Sequence, residues 1–139
     1  MFDEVFGFAP PHPANPPTKR PLLSLMKQAR AYGVGVVVAT QNPMDLDYRV
    51  LSNAGVWFVG RLQTDGDRQR VVEAMSAVRG PDASEPEHVA DVIKRLAPRW
   101  FVTRNVHRAP SLALVQSRTT LSWLRGPMTR ADVRRATGR

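Results

Sequence analysis

Two short runs of apolar, mostly β-branched residues constrain the fold of this chain more than any other feature of its sequence. The first run is VGVVVAT, residues 34–40, and the second is GVWFVGRL, residues 55–62. Uninterrupted apolar runs of this length are typical of strands buried on both faces, as in the parallel sheets of α/β proteins. The two runs therefore predict strands of a parallel sheet, and residues 41–54 between them are predicted to be loop with a turn of helix.

Helical patterns alternate with these strands. Residues 21–33 place apolar side chains on one face, and Pro21 in the first turn with Gly33 at the C-cap predicts a helix there. A second helix is predicted over residues 67–78. A third follows a capping box formed by Ser84 and Glu87, and its apolar face carries Val89, Val92, Ile93 and Leu96.

The last part of the chain adds a strand pair and a short helix. The segments RWFVTRNVH and SLALVQSR predict two strands joined around Pro110, and Thr129 with Asp132 can cap a final basic helix. The element order predicts half of an α/β sheet with an appended β-hairpin and basic helix. We divide the chain into a core part, residues 1–80, and a C-terminal part, residues 81–139, that contains the third helix, the hairpin and the basic extension.

The segment from residue 7 to residue 21 contains six prolines among fifteen residues, which predicts an extended loop and excludes helix or central strand. Lys19 and Arg20 lie at the end of this proline-rich loop. They are candidate contacts to the phosphates of a nucleic acid, and a plain solvated loop is the equal alternative.

Charge is distributed unevenly along the chain. Residues 1–98 contain eleven Lys/Arg and eleven Asp/Glu, whereas residues 99–139 contain nine arginines and one acid, so the whole net charge of +8 lies in the C-terminal stretch. Such a stretch suggests a polyanionic partner, most simply nucleic acid, although a solvated tail explains it equally well. Cysteine is absent and no apolar run could span a membrane, so we expect a cytoplasmic protein without a membrane partner.

The chain opens with MFDE, in which two adjacent carboxylates follow an apolar pair. In parallel sheets, ligands bind at the carboxyl ends of the strands. At such an end Asp3 could help to hold Mg²⁺, and Glu4 could act as a general base on an attacking water. Adjacent residues of a strand point apart, which lets one carboxylate face metal and the other face water.

Three further residues are candidates for the same chemistry. Thr40 and Gln41 end the first apolar run, and the Gln41 amide could contact a γ-phosphate or a lytic water while Thr40 contributes to cofactor binding. Arg61 interrupts the second run, and a buried or interfacial arginine needs an anion. That anion could be a structural carboxylate or the phosphate of a neighbouring subunit's nucleotide.

The segments FDEVFGFAPPHPANPPTKRPLL, KQARAYGVGVVVATQNPMDLDY and LSNAGVWFVGRLQT resemble the HerA/FtsK-like helicase and DNA-translocase ATPases, and NVHRAP with QSRTTLSWLRGPMTR resembles their C-terminal continuation. The resemblance implies a RecA-like P-loop domain in a hexameric ring around duplex DNA, with Mg²⁺-dependent ATP hydrolysis coupled to movement on DNA. It places Asp3 and Glu4 on the Walker B acids and Gln41 on the polar sensor. Arg61 falls near a position that contacts nucleotide, across a subunit interface in some rings.

One departure from that family is large, because no G-x-x-x-x-G-K-[ST] motif occurs in the sequence. Without this loop there is no backbone cradle and no lysine for the phosphates. We therefore expect the chain to be the part of a longer ATPase that follows the P-loop, with Met1 inside a strand, and to be inactive alone. The alternatives are a non-catalytic module that binds nucleic acid or a ring subunit, and a decayed gene product without independent function.

Overall fold

The computed structural model of the protein describes residues 1–77, 86–121 and 126–138. Its elements follow the predicted order except that the first apolar run, residues 34–40, forms an isolated bridge and not a strand. Two short 3₁₀ turns, Ala29–Tyr32 and Pro43–Asp45, are additional. The helices and strands are α1 Lys19–Gln28, α2 Tyr48–Ser52, β1 Val56–Val59, α3 Asp65–Ala77, α4 Pro86–Arg95, β2 Trp100–Asn105, β3 Leu112–Gln116 and α5 Arg130–Thr137.

The three strands form an antiparallel sheet in the order β1-β2-β3. β1 differs here from the sequence prediction, because it pairs antiparallel with β2 from Val56 opposite Asn105 to Val59 opposite Val102. Burial also alternates along β1: Trp57 and Val59 are buried, whereas Phe58 is 69% exposed. The second apolar run therefore forms an edge strand with one buried face, not a strand buried on both faces.

The first apolar run forms the parallel part of the structure. Phe2 and Val38 make a parallel bridge, in which the Phe2 amide donates to the Val37 carbonyl at 2.7 Å and the Ala39 amide donates to the Phe2 carbonyl at 2.8 Å. Parallel pairing of the opening segment with residues 34–40 is thus observed, but it extends over one bridge only. The predicted burial on both faces is not observed, since Val34 and Val37 are 52% and 57% exposed.

The first helix forms close to the predicted position, but it begins at Lys19, so Lys19 and Arg20 lie in its first turn and not in the proline-rich loop as predicted. α1 continues into the 3₁₀ turn Ala29–Tyr32, and Gly33 ends that turn with φ 70°, a left-handed conformation that glycine adopts without strain. Leu22, Leu23 and Ala29 face the core, whereas Leu25 is 48% exposed. α1 thereby lies directly before the first apolar run and positions it beside the chain start.

One apolar core joins the helices to the sheet. α3 packs against α2 and α4, and α4 also contacts β2. The predicted apolar face of α4 is largely confirmed, because Val89, Ile93 and Leu96 are buried, and the predicted Ser84 cap lies outside the described residues. The buried apolar cluster comprises Val5, Ala9, Leu22, Leu23, Leu46, Val50, Leu51, Trp57, Val59, Val71, Val72, Ala74, Met75, Val89, Ile93, Leu96 and Val102.

The C-terminal hairpin and helix agree with the prediction. β2 and β3 pair antiparallel from Trp100 opposite Gln116 to Arg104 opposite Leu112. Thr129 caps α5, and its hydroxyl and the Asp132 carboxylate bond each other's backbone amides in a capping box. The division at residue 80 stays a prediction. Within the described ranges, no helix combines the length and apolar character needed to cross a membrane.

Candidate functional site

The parallel bridge brings together the ends of the two segments that carry the predicted catalytic residues. Gln41 Nε2 donates a hydrogen bond of 2.7 Å to Glu4 Oε1, although the two residues are 37 positions apart in the chain. Glu4 lies two positions after Phe2, and Gln41 lies three positions after Val38. The bridge between Phe2 and Val38 therefore brings the two side chains together. One oxygen of the Glu4 carboxylate is thereby held in place by an uncharged donor.

The backbone at Glu4 has an uncommon conformation. Its φ is 49°, in the left-handed region that residues other than glycine rarely adopt. The residue after it, Val5, is fully buried, and its amide donates to the Ala39 carbonyl at 3.0 Å. The turn at Glu4 therefore lets the chain return its apolar side chains to the core while both carboxylates remain exposed.

Thr40 is engaged in a local turn. Its hydroxyl donates to the Asn42 carbonyl at 3.1 Å, and the Asn42 amide donates to the same hydroxyl at 3.2 Å. Asn42 in turn caps the 3₁₀ turn that follows, because its Oδ1 accepts from the Met44 amide at 3.0 Å. These bonds fix the backbone on the C-terminal side of Gln41, and the role of Thr40 in cofactor binding stays a prediction.

The acidic residues could complete the coordination of a magnesium ion that is bound mainly by other ligands. In the described part of the chain, no three His, Cys, Asp or Glu residues come together as a metal site. Asp3 is exposed and offers one carboxylate, which suits Mg²⁺ because this ion usually takes one or two carboxylates with phosphate oxygens and water. The residues of this chain do not fit a complete Mg-ATP site, because the phosphate-binding loop is not among them.

Arg61 lies two residues beyond β1 and is exposed. It makes no hydrogen bond or ion pair with any residue in the described ranges, including Glu4 and Gln41. The expected burial of this arginine is not observed within the single chain. Contact with a nucleotide of a neighbouring subunit stays a prediction.

Lys19 and Arg20 have different environments. Lys19 is 2% exposed, and its Nζ lies 2.8 Å from Asp47 Oδ2 and donates to the Ala14 carbonyl at 2.9 Å. Burial in this ion pair disfavours the phosphate contact predicted for Lys19. Arg20 is exposed, so its side chain remains available to a polyanion.

Two arginines of α3 form hydrogen bonds with the loops that follow the candidate residues Gln41 and Arg61 in the chain. Arg70 donates to the carbonyls of Pro43 and Leu46, at 3.3 and 2.7 Å, and so fixes the loop that follows Gln41. Arg68 is 5% exposed and donates to the carbonyls of Leu62 and Gln63, at 2.6 and 2.8 Å, directly after Arg61. α3 therefore connects the segments after both predicted catalytic side chains.

These positioning residues were missed by the sequence interpretation, although the sequence contains a signal for one of them. Arg68 precedes Val71, Val72 and Met75 by three, four and seven positions, and so it lies on the apolar face of α3. A charged residue on that face has to find polar partners inside the protein. Arg68 finds these partners in two backbone carbonyls of the preceding loop and in the exposed carboxylate of Asp65.

Comparison with known proteins identifies the fold and leaves the family open. No protein family profile and no curated protein sequence matches the chain. Solved structures that are similar include the genome packaging NTPase B204 from Sulfolobus turreted icosahedral virus 2 in complex with AMP, at 16% identity and a TM-score of 0.60 over 86% of this chain and 51% of that chain.

The same protein in complex with ATP-gammaS gives 15% identity and a TM-score of 0.60 over 86% and 53% of the two chains. B204, the DNA-packaging ATPase from Sulfolobus turreted icosahedral virus, gives 15% identity and a TM-score of 0.63 over 84% and 50%. The chain thus spans about half the length of these structures. The likeness confirms the predicted α/β class and shows that the chain shares part of the fold of these structures.

Proposed function

We propose that this chain is the part of a HerA/FtsK-like DNA-translocating ATPase that carries the water-activating and sensing residues. The observation that carries the proposal is the hydrogen bond from Gln41 Nε2 to Glu4 Oε1 at the end of the parallel bridge. It joins a carboxylate and an amide at the strand ends, where α/β proteins bind their ligands. Residues 1–80 would be the nucleotide-facing part and residues 81–139 the extension.

In this proposal the two carboxylates and the amide have separate tasks. Gln41 occupies Oε1 of Glu4, which leaves Oε2 to accept a proton from an attacking water. Asp3 is exposed next to Glu4 and would hold a magnesium ion that ATP brings to the site. Bound Mg-ATP would supply the electrophilic phosphorus and the charge compensation. Arg61 would act on the nucleotide of a neighbouring subunit, with Thr40 near the phosphates.

The solved structures support this proposal at the level of the fold. They are described as a genome packaging NTPase, in complex with AMP or ATP-gammaS, and as a DNA-packaging ATPase. From these descriptions we propose DNA and ATP as ligands. From the resemblance of the sequence to HerA/FtsK-like ATPases we propose that the DNA is duplex, that Mg²⁺ is a cofactor, that the whole protein forms a homo-oligomeric ring, and that it is cytoplasmic. These properties would belong to the whole protein, of which the chain covers the portion after the phosphate-binding loop.

ATP turnover provides the test. We expect the 139-residue chain to show no Mg-ATP hydrolysis, because the phosphate cradle is missing from its sequence. We expect the coding sequence upstream of Met1 to encode a G-x-x-x-x-G-K-[ST] loop. A longer product expressed with that sequence should show measurable turnover of ATP. Glu4→Gln should lower that turnover by about 10²–10⁴-fold while ATP binding is retained, as expected for loss of a general base.

The control for this test is Asp91→Asn, which removes an exposed carboxylate of α4 far along the chain from the bridge. It should leave turnover unchanged. A longer product that binds no ATP, or whose turnover survives Glu4→Gln, would contradict the proposal. Turnover by the 139-residue chain that depends on Glu4 would contradict the expected inactivity of the isolated chain.

The second candidate function is a non-catalytic module that binds nucleic acid or a ring subunit. It is favoured by the exposed arginines of the C-terminal part, among them Arg118, Arg130 and Arg134. Salt-dependent DNA binding by the chain that is unchanged in Asp3→Ala and Glu4→Ala, together with absent ATP binding by the longer product, would favour this function over the first.

A further inference from the structure

The basic C-terminal helix has a surface that suits a polyanion. We infer that α5 is a sequence-independent docking site for the phosphate backbone of duplex DNA, with Arg130 and Arg134 as its contact residues. The inference rests on the nucleic-acid part of the proposed function and does not depend on ATP hydrolysis. Three features of the structure support it.

The first feature is the burial of Asp132. Asp132 is the single acidic side chain between residues 99 and 139, and it is 5% exposed. Its carboxylate bonds the amide and the hydroxyl of Thr129 and forms an ion pair with Arg135 at 2.5 Å. The one negative charge is therefore buried and neutralises Arg135, so that Arg130 and Arg134 provide the remaining positive charge at the surface of α5.

The second feature is the geometry of the two remaining arginines. Arg130 and Arg134 are one helical turn apart, so both project from the same side of α5. Both are exposed and make no ion pair in the described ranges, whereas Arg135 is held by Asp132. A guanidinium can bind a phosphate with two parallel hydrogen bonds, and two such groups on one face can contact successive phosphates of one strand.

The third feature is the small apolar surface of α5. Protein interfaces depend on buried aromatic and aliphatic anchors. In RADVRRAT the single large apolar residue is Val133, which is 45% exposed. One valine offers little area to a protein partner, whereas charge complementarity alone supports non-specific binding to nucleic acid. A DNA backbone is therefore the occupant that fits this helix best.

The test measures the affinity of the 139-residue chain for a short DNA duplex of mixed sequence, by fluorescence anisotropy between about 50 and 200 mM salt. We expect Arg130→Gln/Arg134→Gln to weaken binding and to reduce the slope of log K against log salt concentration by about 2. The matched control is Lys27→Gln/Arg30→Gln, which removes the same charge from exposed positions of α1 and its 3₁₀ extension. It should leave the slope unchanged.

Three outcomes would overturn the inference. They are absence of duplex binding at the lowest salt concentration, equal losses in the two double variants, and competition by a poly-glutamate peptide as effective as that by duplex at equal charge. Circular dichroism of both variants confirms that the helices are retained. The result is independent of the nucleotide site, because duplex binding by the 139-residue chain is measured without nucleotide, whereas failure of the ATPase proposal is seen in ATP binding and ATP turnover of the longer product.

Discussion

At the scale of single residues, Asp47 connects more of the structure than any residue of the candidate site. Its amide donates to the Ala9 carbonyl at 2.8 Å, and its Oδ1 accepts from the amide and side chain of Arg49, both at 2.9 Å. Its Oδ2 accepts from Arg49 and from the buried Lys19, each at 2.8 Å. Asp47, which follows Gln41 by six positions, thus connects the proline-rich loop, α1 and α2 through hydrogen bonds and ion pairs.

This network makes the stability of the protein depend on pH. The Arg49 guanidinium, assisted by Lys19, holds the pKa of the Asp47 carboxyl well below its usual range, although burial alone would raise this pKa. A carboxyl with a lowered pKa in the folded state contributes stability above its unfolded pKa of about 3.9, and this contribution is lost as the pH falls further. We expect Asp47→Asn to cost about 2–4 kcal/mol of unfolding free energy near neutral pH.

Urea unfolding from about pH 7 to about pH 3 measures this effect. The unmodified chain should lose stability below about pH 4, and Asp47→Asn should lose less over the same interval. Asp91→Asn is the matched control, since its exposed pair with Arg95 contributes at most about 0.5 kcal/mol. Parallel pH profiles of the unmodified chain and Asp47→Asn would contradict the assigned role.

Arg70 provides a second prediction at this scale. Its guanidinium bonds the carbonyls of Pro43 and Leu46, so we expect Arg70→Met to loosen the loop after Gln41 without unfolding the core. Hydrogen exchange should become faster at the amides of Asp45 and Leu46, which bond within the 3₁₀ turn. Arg61→Met, which removes an exposed arginine without a bonded partner in the described ranges, should leave these exchange rates unchanged. Equal rates in both variants would show that Arg70 does not support the loop.

At the scale of elements, the sequence predicts helices better than strand pairing. The 3₁₀ turn that extends α1 ends at Gly33, and Thr129 caps the start of α5, as predicted, because caps are local interactions that the sequence contains in full. The contact of Glu4 with Gln41 also follows from an adjacency of strand ends that the sequence suggests. Their catalytic roles stay predictions.

The pairing of β1 could not be derived in the same way. Val56 and Phe58 are exposed, whereas Trp57 and Val59 are buried, and all four residues are apolar. Burial therefore alternates along the strand, but polar and apolar residues do not. An apolar run predicts a strand but does not predict which other strand pairs with it. The partner strand β2 begins more than forty residues after β1. The bonds from Arg70 to the carbonyls of Pro43 and Leu46 are likewise long-range and depend on packing, whereas Arg68 bonds carbonyls only five and six positions earlier in the chain.

The capping box of α5 supports a prediction for this element. Thr129→Ala removes the hydroxyl that accepts from the Asp132 amide, and we expect it to destabilise α5 by about 1 kcal/mol. Because α5 is exposed along most of its length, hydrogen exchange should become faster in residues 130–137 while the core remains protected. Thr119→Ala, outside any helix or strand, is the control. Unchanged exchange in α5 would contradict the importance of the cap.

At the scale of the whole molecule, most of the exposed large apolar side chains in the described ranges lie before residue 60, whereas the excess positive charge lies after residue 98. The segments of the parallel bridge carry exposed apolar side chains, and Phe2 and Phe8 contact each other edge to face at 5.1 Å between ring centres. Residues 99–139 contain the excess of arginine. The bridge segments are therefore the part of this chain that should associate through apolar contacts, and the C-terminal part should repel its copies.

This separation predicts how the molecule behaves in concentrated solution. Added salt screens the repulsion between the basic parts and leaves the apolar attraction intact, so the chain should self-associate more strongly as the salt concentration rises. Phe6→Ser/Val37→Thr alters side chains that are 69% and 57% exposed, and it should shift the sedimentation coefficient towards that of a monomer at equal protein concentration. Leu121→Ser is the control, because Leu121 is fully exposed but lies in the basic part. Equal reduction of association by Leu121→Ser and by the double variant would contradict a particular role of the bridge segments in self-association. Reduction by the double variant alone would show that the apolar surface around the bridge drives the association.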